Sequence, residues 1–427
     1  MRRILQIKVY HNQKNRIIVP KNEYFLIKDI TSIQLGFNKV PCEVLSHKQN
    51  LNTIYVSSSI GKQLNIRDQA QIIIYPQDNS CIFYYLFGVF LHRELNYSKY
   101  QNLYQMMARI GETLGFGVFL FSSKQINYDS QTVNGYLLRQ SEWDMIEISV
   151  PSLIYNRIPN RVIENHPQVI KAKNYLSATS IIFNSDFLHK WQVYDQLKKS
   201  NEFNYLLPEV VLRPSLETID QSLADHPIYL KPLHDITKGA IYYLEKVDDL
   251  IFMTSYPNMI RRYSEDLKAL YYEYFPYVCD QYFLEDAIQH KEVNERAFHF
   301  RIHTLKNNND WNVGLYYAKE HPLSSNSNIP NILSMNSLFE KNEAFLIARK
   351  ISHIATQLSH IIENNINGTY RELGFDIALD QENRLWIEEV YSKPSWEVFN
   401  DPQMTTQAQE YFTQLMEWSI TVAKDLE

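Results

Sequence analysis

Apolar residues fall in short runs over the first 80 positions: IIVP, YFLI, EVLS, TIYVS and QIIIY. Polar stretches such as SHKQNLN and PQDNS separate them, and this pattern predicts short strands. LGFNKVP, from Leu35 to Pro41, predicts a turn, and Pro76 to Ser80 predicts a linker. The segment 1–80 therefore reads as a small β-rich module, suited to a barrel. From Cys81 to Leu91 the chain is almost continuously apolar and predicts a buried strand. Leu103, Met106, Met107, Ile110 and Leu114 then recur at helical spacing until Gly115 and Gly117, and Val118 to Phe121 predicts a second strand. Strand, helix and strand in this order predict a βαβ unit with a parallel layer. Ser152 to Ile158 reads as a third strand with a polar tip.

Beyond about position 170 the strand pattern returns in PIYLKP, AIYYLEKV, FPYVCDQYFL, AFHFRIHTL and WNVGLYYAKE. Glu343 to Ile362 predicts a long amphipathic helix with Ile351, Ile354, Ala355, Leu358 and Ile362 on its apolar face. GFDIALD and RLWIEEV predict a closing hairpin. The longest polar loop, 321–337, is a candidate mobile segment. The whole reads as α/β (α+β), in three parts: 1–80, 81–170 and 171–427.

Charge and composition narrow the function. The formal charge of −6 gives no electrostatic footprint for nucleic acid. Cys42, Cys81 and Cys279 are far apart and show neither a zinc spacing nor a disulfide framework. The basic start MRRILQIKVY lacks a sustained apolar stretch, and no apolar run approaches the roughly 20 residues of a membrane span. A cytoplasmic protein is expected. Glycine is scarce, 11 in 427 residues, where average usage of about 7% would give roughly 30. A glycine-rich phosphate loop is therefore not expected.

Three pieces carry chemistry. In the last hairpin, with a turn at Asp380 to Asn383, Asp376 faces Ile387. Glu389 is then its diagonal neighbour, with Cα atoms about 7–8 Å apart. Two carboxylates so placed either hold one Mg²⁺ or are merely solvated. Lys231, at a strand end before Pro232, suits a phosphate as a point charge, or is simply exposed. Arg301, in a mostly apolar strand, needs a carboxylate or phosphate partner.

Taken in order, these pieces resemble ATP-grasp proteins, and more narrowly the endospore coat-associated YheC/YheD group. The resemblance covers about 81–400 and rests on SLIYNRIPNR (152–161), FNSDFLHKWQVYDQL (183–197), YLKP (229–232), FHFRIHTLKN (298–307) and ELGFDIALD…RLWIEEVYSKP (372–394). It implies an ATP-grasp fold of two subdomains over 171–427, preceded by an α/β domain. It implies ATP and Mg²⁺, and phosphorylation of a small-molecule or peptide carboxylate before attack by an amine. Lys190 and Lys231 then resemble the lysines on the ATP phosphates. Gln281 and Phe283 hold the adenine, with Gln281 where the chain crosses between subdomains. Asp376 and Glu389 resemble the Mg²⁺ ligands, Arg301 lies near phosphate, and Lys393 faces substrate or solvent. Spore-coat proteins are the implied partners, on the mother-cell side.

Three features depart from that pattern. The loop after Lys231-Pro232 keeps only Gly239 and carries Asp235. Position 391 is Tyr where the group usually has Asn. Lys319 is the one candidate cation of the strand before the long helix. A ligase, or a catalytically degenerate scaffold of the coat, both follow from this combination. Tyr155, Asn156 and Arg157 either line the substrate cleft or pack between domains.

Overall fold

A computed structural model describes residues 4–425, except 37, 50–51, 67, 94–99, 140–141, 234–240, 257, 275–277, 308–309 and 321–330. Its largest sheet runs through the first half of the chain. The order Glu43–His47, Arg16–Pro20, Thr53–Ser57, Leu5–Tyr10, Gln71–Gln77 leads into the long strand Ser80–Leu91. The first half of that strand pairs antiparallel with Gln71–Gln77, and the second half pairs parallel with Phe116–Ser122. Helix Gln101–Leu114 connects this parallel pair, as the apolar spacing predicts. Gly115 closes the helix in a left-handed conformation, φ +91°, which glycine adopts without strain.

Two local expectations differ. Pro76 to Ser80 is no linker: Gln77 pairs with Ser80 across a tight hairpin, with Asp78 at φ +49°. Asp and Asn tolerate that conformation, so the same polar residues signal a turn within a sheet as readily as a boundary. YFLI is not a strand but the end of helix Lys21–Ile27. Only Ile27 of that helix is buried, so its apolar run does not mark a core strand.

Two six-stranded sheets form the second half. The first has the order Val210–Leu212, Tyr282–Asp286, Ile228–Pro232, Ile241–Val247, Leu250–Tyr256, Ile260–Ser264. Helices Leu216–Asp225 and Leu267–Tyr274 cover one face through Ile219, Leu223, Leu267 and Leu270. The second is built from Ile332–Leu333, Asp310–Glu320, Arg296–Asn307, Glu372–Leu379 and Leu385–Tyr391, with Glu292–Val293 at the side. Helix Lys341–Asn365 buries Ile351, Ile354, Leu358 and Ile362 against Phe300, Ile302, Phe375 and Ile377. On the opposite face, Leu305, Leu315 and Tyr317 pack against helix Thr405–Asp425, and the remainder carries the site. FPYVCDQYFL is only half strand: Val278–Gln281 is a helical turn, and the strand begins at Tyr282. The predicted mobile loop falls largely on 321–330, outside the described residues. Its remainder holds strand Ile332–Leu333 and the helical turn Met335–Leu338. Among the described residues no helix is long and apolar enough to cross a membrane.

Candidate functional site

The site lies between the two six-stranded sheets. In the first, alternation sends Ile228, Leu230, Tyr282 and Leu284 into the core and leaves Tyr229, Lys231, Phe283 and Glu285 on the other face. Lys231 pairs with Phe283 and Tyr229 with Glu285, so Lys231 and Glu285 are diagonal neighbours. The Lys231 ammonium donates to Glu285 Oε1. Burial raises the Glu285 carboxyl above its ordinary range, and the Lys231 charge offsets part of that.

In the second sheet, Arg301 stands directly opposite Asp376. Its guanidinium grips the carboxylate with two hydrogen bonds, Nε to Oδ1 and Nη2 to Oδ2, the latter at 2.7 Å. Burial opposes both charges. The pairing nevertheless holds Asp376 well below the usual carboxylate range and Arg301 well above its own. The expected hairpin needs correction by one residue. Leu379 pairs with Leu385, not Arg384, because Asp380 accepts from the Glu382 and Arg384 amides and lengthens the turn. A bulge then adds a second residue to the shift: Ile377 pairs with Ile387, but Asp376 pairs with Glu389, leaving Glu388 as the extra residue. Asp376 and Glu389 are therefore directly opposite, closer than the expected diagonal. The bulge also puts Glu388 on the cleft wall beside Glu389.

Tyr391 closes the arrangement. Its hydroxyl is 2.9 Å from Asp376 Oδ2 and 2.6 Å from Glu389 Oε2, and its ring lies 4.6 Å from the Arg301 guanidinium carbon. Burial, followed by the charges of Asp376 and Glu389, raises the phenol well above its ordinary pKa, so it stays protonated. Lys190, the first residue of helix Lys190–Lys199, reaches Glu389 Oε1 at 2.8 Å. That contact lowers the Glu389 pKa against the effect of burial. Glu388 meets His290 Nε2 at 2.9 Å. Lys319 also lines this chamber, half-buried, and burial lowers its pKa. Beside the charged chamber runs an apolar slot walled by Trp191, Tyr194, Leu207, Val210, Phe283 and Ile387, open to Lys190 and Lys231 at one end.

The structure thus brings Lys190, Lys231, Phe283, Arg301, Asp376 and Glu389 together. Gln281 stands apart. Its side chain is exposed, its carbonyl accepts from the Leu233 amide at 2.8 Å, and the crossing between sheets follows Asp286 instead. Lys393 faces neither cleft nor solvent. Its side chain is 2% exposed and paired with Glu164, and its ammonium lies 4.2 Å over the Phe187 ring. Tyr155 and Arg157 meet the fully buried Glu372, and Asn156 meets Glu164 and the Ser185 carbonyl, so all three pack between segments. Asp235 and Gly239 lie outside the described residues. The sequence reading misses Glu285, although the alternation Phe283-x-Glu285 opposite Lys231 is a signal for it.

These distances also test the metal expectation. Each oxygen of Asp376 and Glu389 already has a partner from Arg301, Lys190 or Tyr391. A divalent cation between the two would lie against two positive side chains at short range, where Coulomb repulsion is strong. Among the described residues no group of three or more His, Cys, Asp or Glu side chains is arranged to hold a metal ion. As they stand, Asp376 and Glu389 do not fit Mg²⁺.

Two α+β subdomains facing each other across a cleft, with Lys231 and Glu285 on one wall and Arg301 and a two-carboxylate hairpin on the other, form an ATP-grasp architecture. The model of the YheC/D like ATP-grasp family matches residues 180–422, and the chain belongs to that family. It is 26% identical over 391 residues to the endospore coat-associated protein YheD of Bacillus subtilis, covering 86% of this chain and 85% of that protein. To the endospore coat-associated protein YheC of the same organism it is 22% identical over 306 residues, covering 67% and 83%. Among solved structures, the D-alanine-D-alanine ligase from Coxiella burnetii aligns at 12% identity and a TM-score of 0.47, covering 80% of this chain and 95% of that one.

Proposed function

We propose that the cleft binds ATP and that the chain is an ATP-dependent carboxylate–amine ligase-like protein associated with the endospore coat. One observation carries this reading. An apolar, aromatic slot opens directly onto a chamber lined by Lys190, Lys231, Arg301 and Lys319, which suits a base at one end and a polyphosphate at the other. In the reaction, a carboxylate oxygen of a small molecule or peptide attacks the γ-phosphorus, and ADP leaves. An amine then attacks the acyl phosphate, phosphate leaves, and an amide remains. The chain's own contribution is to position the phosphates and neutralise their charge. The names of the two endospore coat-associated Bacillus relatives support other coat proteins as partners, and the same reading puts the chain on the mother-cell side.

The Tyr391 hydroxyl between Asp376 and Glu389 favours a second reading, a scaffold that binds nucleotide without turnover. Calorimetry with ATP, on the full chain and on Trp191→Ala, tests the first part. Binding that weakens in the variant supports the slot, and no heat at millimolar ATP overturns the nucleotide reading. ADP release on adding carboxylates and amines then separates ligase from scaffold.

A further inference from the structure

Asp376 and Glu389 are neutralised from within the protein. Arg301 and Asp376 are held opposite each other by strand register, and both are nearly buried, at 7% and 5% exposure. The two-pronged guanidinium–carboxylate pairing is among the strongest a side chain makes. The Tyr391 ring backs the guanidinium, so its plane is held from a second side. Glu389 is engaged at one oxygen by Lys190 and at the other by Tyr391. Two carboxylates and two cations sum to zero charge with no ion added. The third carboxylate of the bulge, Glu388, is turned to His290. His299 lies 3.8 Å from both Asp376 and Glu388, beyond hydrogen-bond distance of either.

We propose that Arg301 and Lys190, tied together through the Tyr391 hydroxyl, take the place of a divalent cation at Asp376 and Glu389, so that the cleft receives a polyphosphate without a metal on that carboxylate pair. The proposal deepens the nucleotide reading above and rests on it for the identity of the anion. Its structural half, a carboxylate pair closed to metal, stands without nucleotide. In this arrangement Asp376 orients Arg301 and keeps it charged, and Tyr391 sets the spacing of the two pairs.

Two measurements on the full chain test it. The first is Mn²⁺ binding followed by electron paramagnetic resonance, without nucleotide. The wild type should bind no stoichiometric Mn²⁺ below millimolar concentration. Arg301→Met frees Asp376 and should gain about tenfold in Mn²⁺ affinity, with a thermal midpoint that rises on adding the metal. Micromolar Mn²⁺ binding by the wild type that Asp376→Asn abolishes would overturn the proposal. So would an Arg301→Met protein that folds and gains nothing. Should Arg301→Met fail to fold, Lys190→Met, which frees Glu389 and leaves the buried Arg301–Asp376 pair intact, serves for the same comparison. The second measurement is ATP affinity in EDTA against excess Mg²⁺. A change below about threefold is expected, and a loss above about tenfold in EDTA that Asp376→Asn reproduces would overturn the proposal. Absence of ATP binding in both conditions rejects the nucleotide reading instead, and the Mn²⁺ result still decides the metal question.

Discussion

Lys231 and Glu285 sit on adjacent strands as diagonal neighbours, two positions from direct register, with the ammonium of the first against the carboxylate of the second. Their side chains are only 18% and 11% exposed, so neither charge is well solvated. Removing the cation alone leaves a buried acid without a partner. Lys231→Met is expected to destabilise the chain by about 1–3 kcal/mol in urea unfolding, and Lys231→Met with Glu285→Leu to recover most of it. The pH dependence has a definite sign. Burial already raises Glu285 in the folded chain, and losing Lys231 raises it further. The folded state then holds a proton that the unfolded state releases above its carboxylate range, so stability falls as pH rises. The variant should lose more at pH 8 than at pH 5. An equal loss at both would show that Glu285 is not the group responsible.

Part of this site was legible in the sequence, and the rest depended on register and long-range packing. Strand alternation alone separates Asp376 from Phe375, Ile377 and Leu379, and those three lie in the core. That Arg301 needs a partner followed from its apolar neighbours, but not that the partner is Asp376, 75 positions away. The bulge at Glu388 is marked only by a break in alternation, with Ile387 and Val390 both opposite core residues across two glutamates. Gln281 was misplaced because an apolar run such as FPYVCDQYFL fits a helical turn or a strand equally well by periodicity. Lys393 carries no local sign of its partner, because Glu164 belongs to an element 229 positions earlier.

Lys393 offers a second pH test, with a different sign. Burial pushes its ammonium down to about 8, although Glu164 pulls the other way. Between that value and the ordinary 10.5, the unfolded chain binds a proton that the folded chain does not. Stability from this group therefore rises as pH climbs through that window. Lys393→Met should remove this alkaline gain in unfolding measured from pH 7.5 to 10. Glu164 is not left bare in the variant, because Asn156 and the Phe187 amide donate to it and Lys173 lies 3.4 Å away. An unchanged pH profile would refute the assignment.

Glycine scarcity makes the surviving glycines informative. Gly374, on the Asp376 strand, lies where the Tyr391–Pro394 segment crosses closely. A Cβ there would stand 2.7 Å from Pro394 Cβ, a carbon that cannot swing aside. Gly374→Ala should cost about 1–3 kcal/mol of stability, as overpacking does in well-filled cores. It should also displace Tyr391, its strand partner. Equilibrium unfolding reads the first effect and ATP calorimetry the second, and a neutral substitution would mean that the segment is looser than this contact implies.

Lys319 differs from the other cleft cations. Lys190, Lys231 and Arg301 are each already on a carboxylate. Lys319 lines the same chamber with no ion pair among the described residues. Burial, followed by the Arg301 charge, lowers its pKa. An incoming polyphosphate must share the other three with their acids, but can meet Lys319 without competing with an ion pair. Lys319→Met is therefore expected to weaken ATP binding by about tenfold, the size of one charge-assisted contact. The thermal midpoint should barely move, because no internal partner loses its counter-charge. In the wild type, affinity should also fall on the alkaline side as the ammonium loses its proton, beginning below the ordinary lysine range. The variant should lack that limb. Calorimetry across pH 7 to 10 on both proteins reads both effects, and equal affinities at pH 7 would remove Lys319 from the binding site.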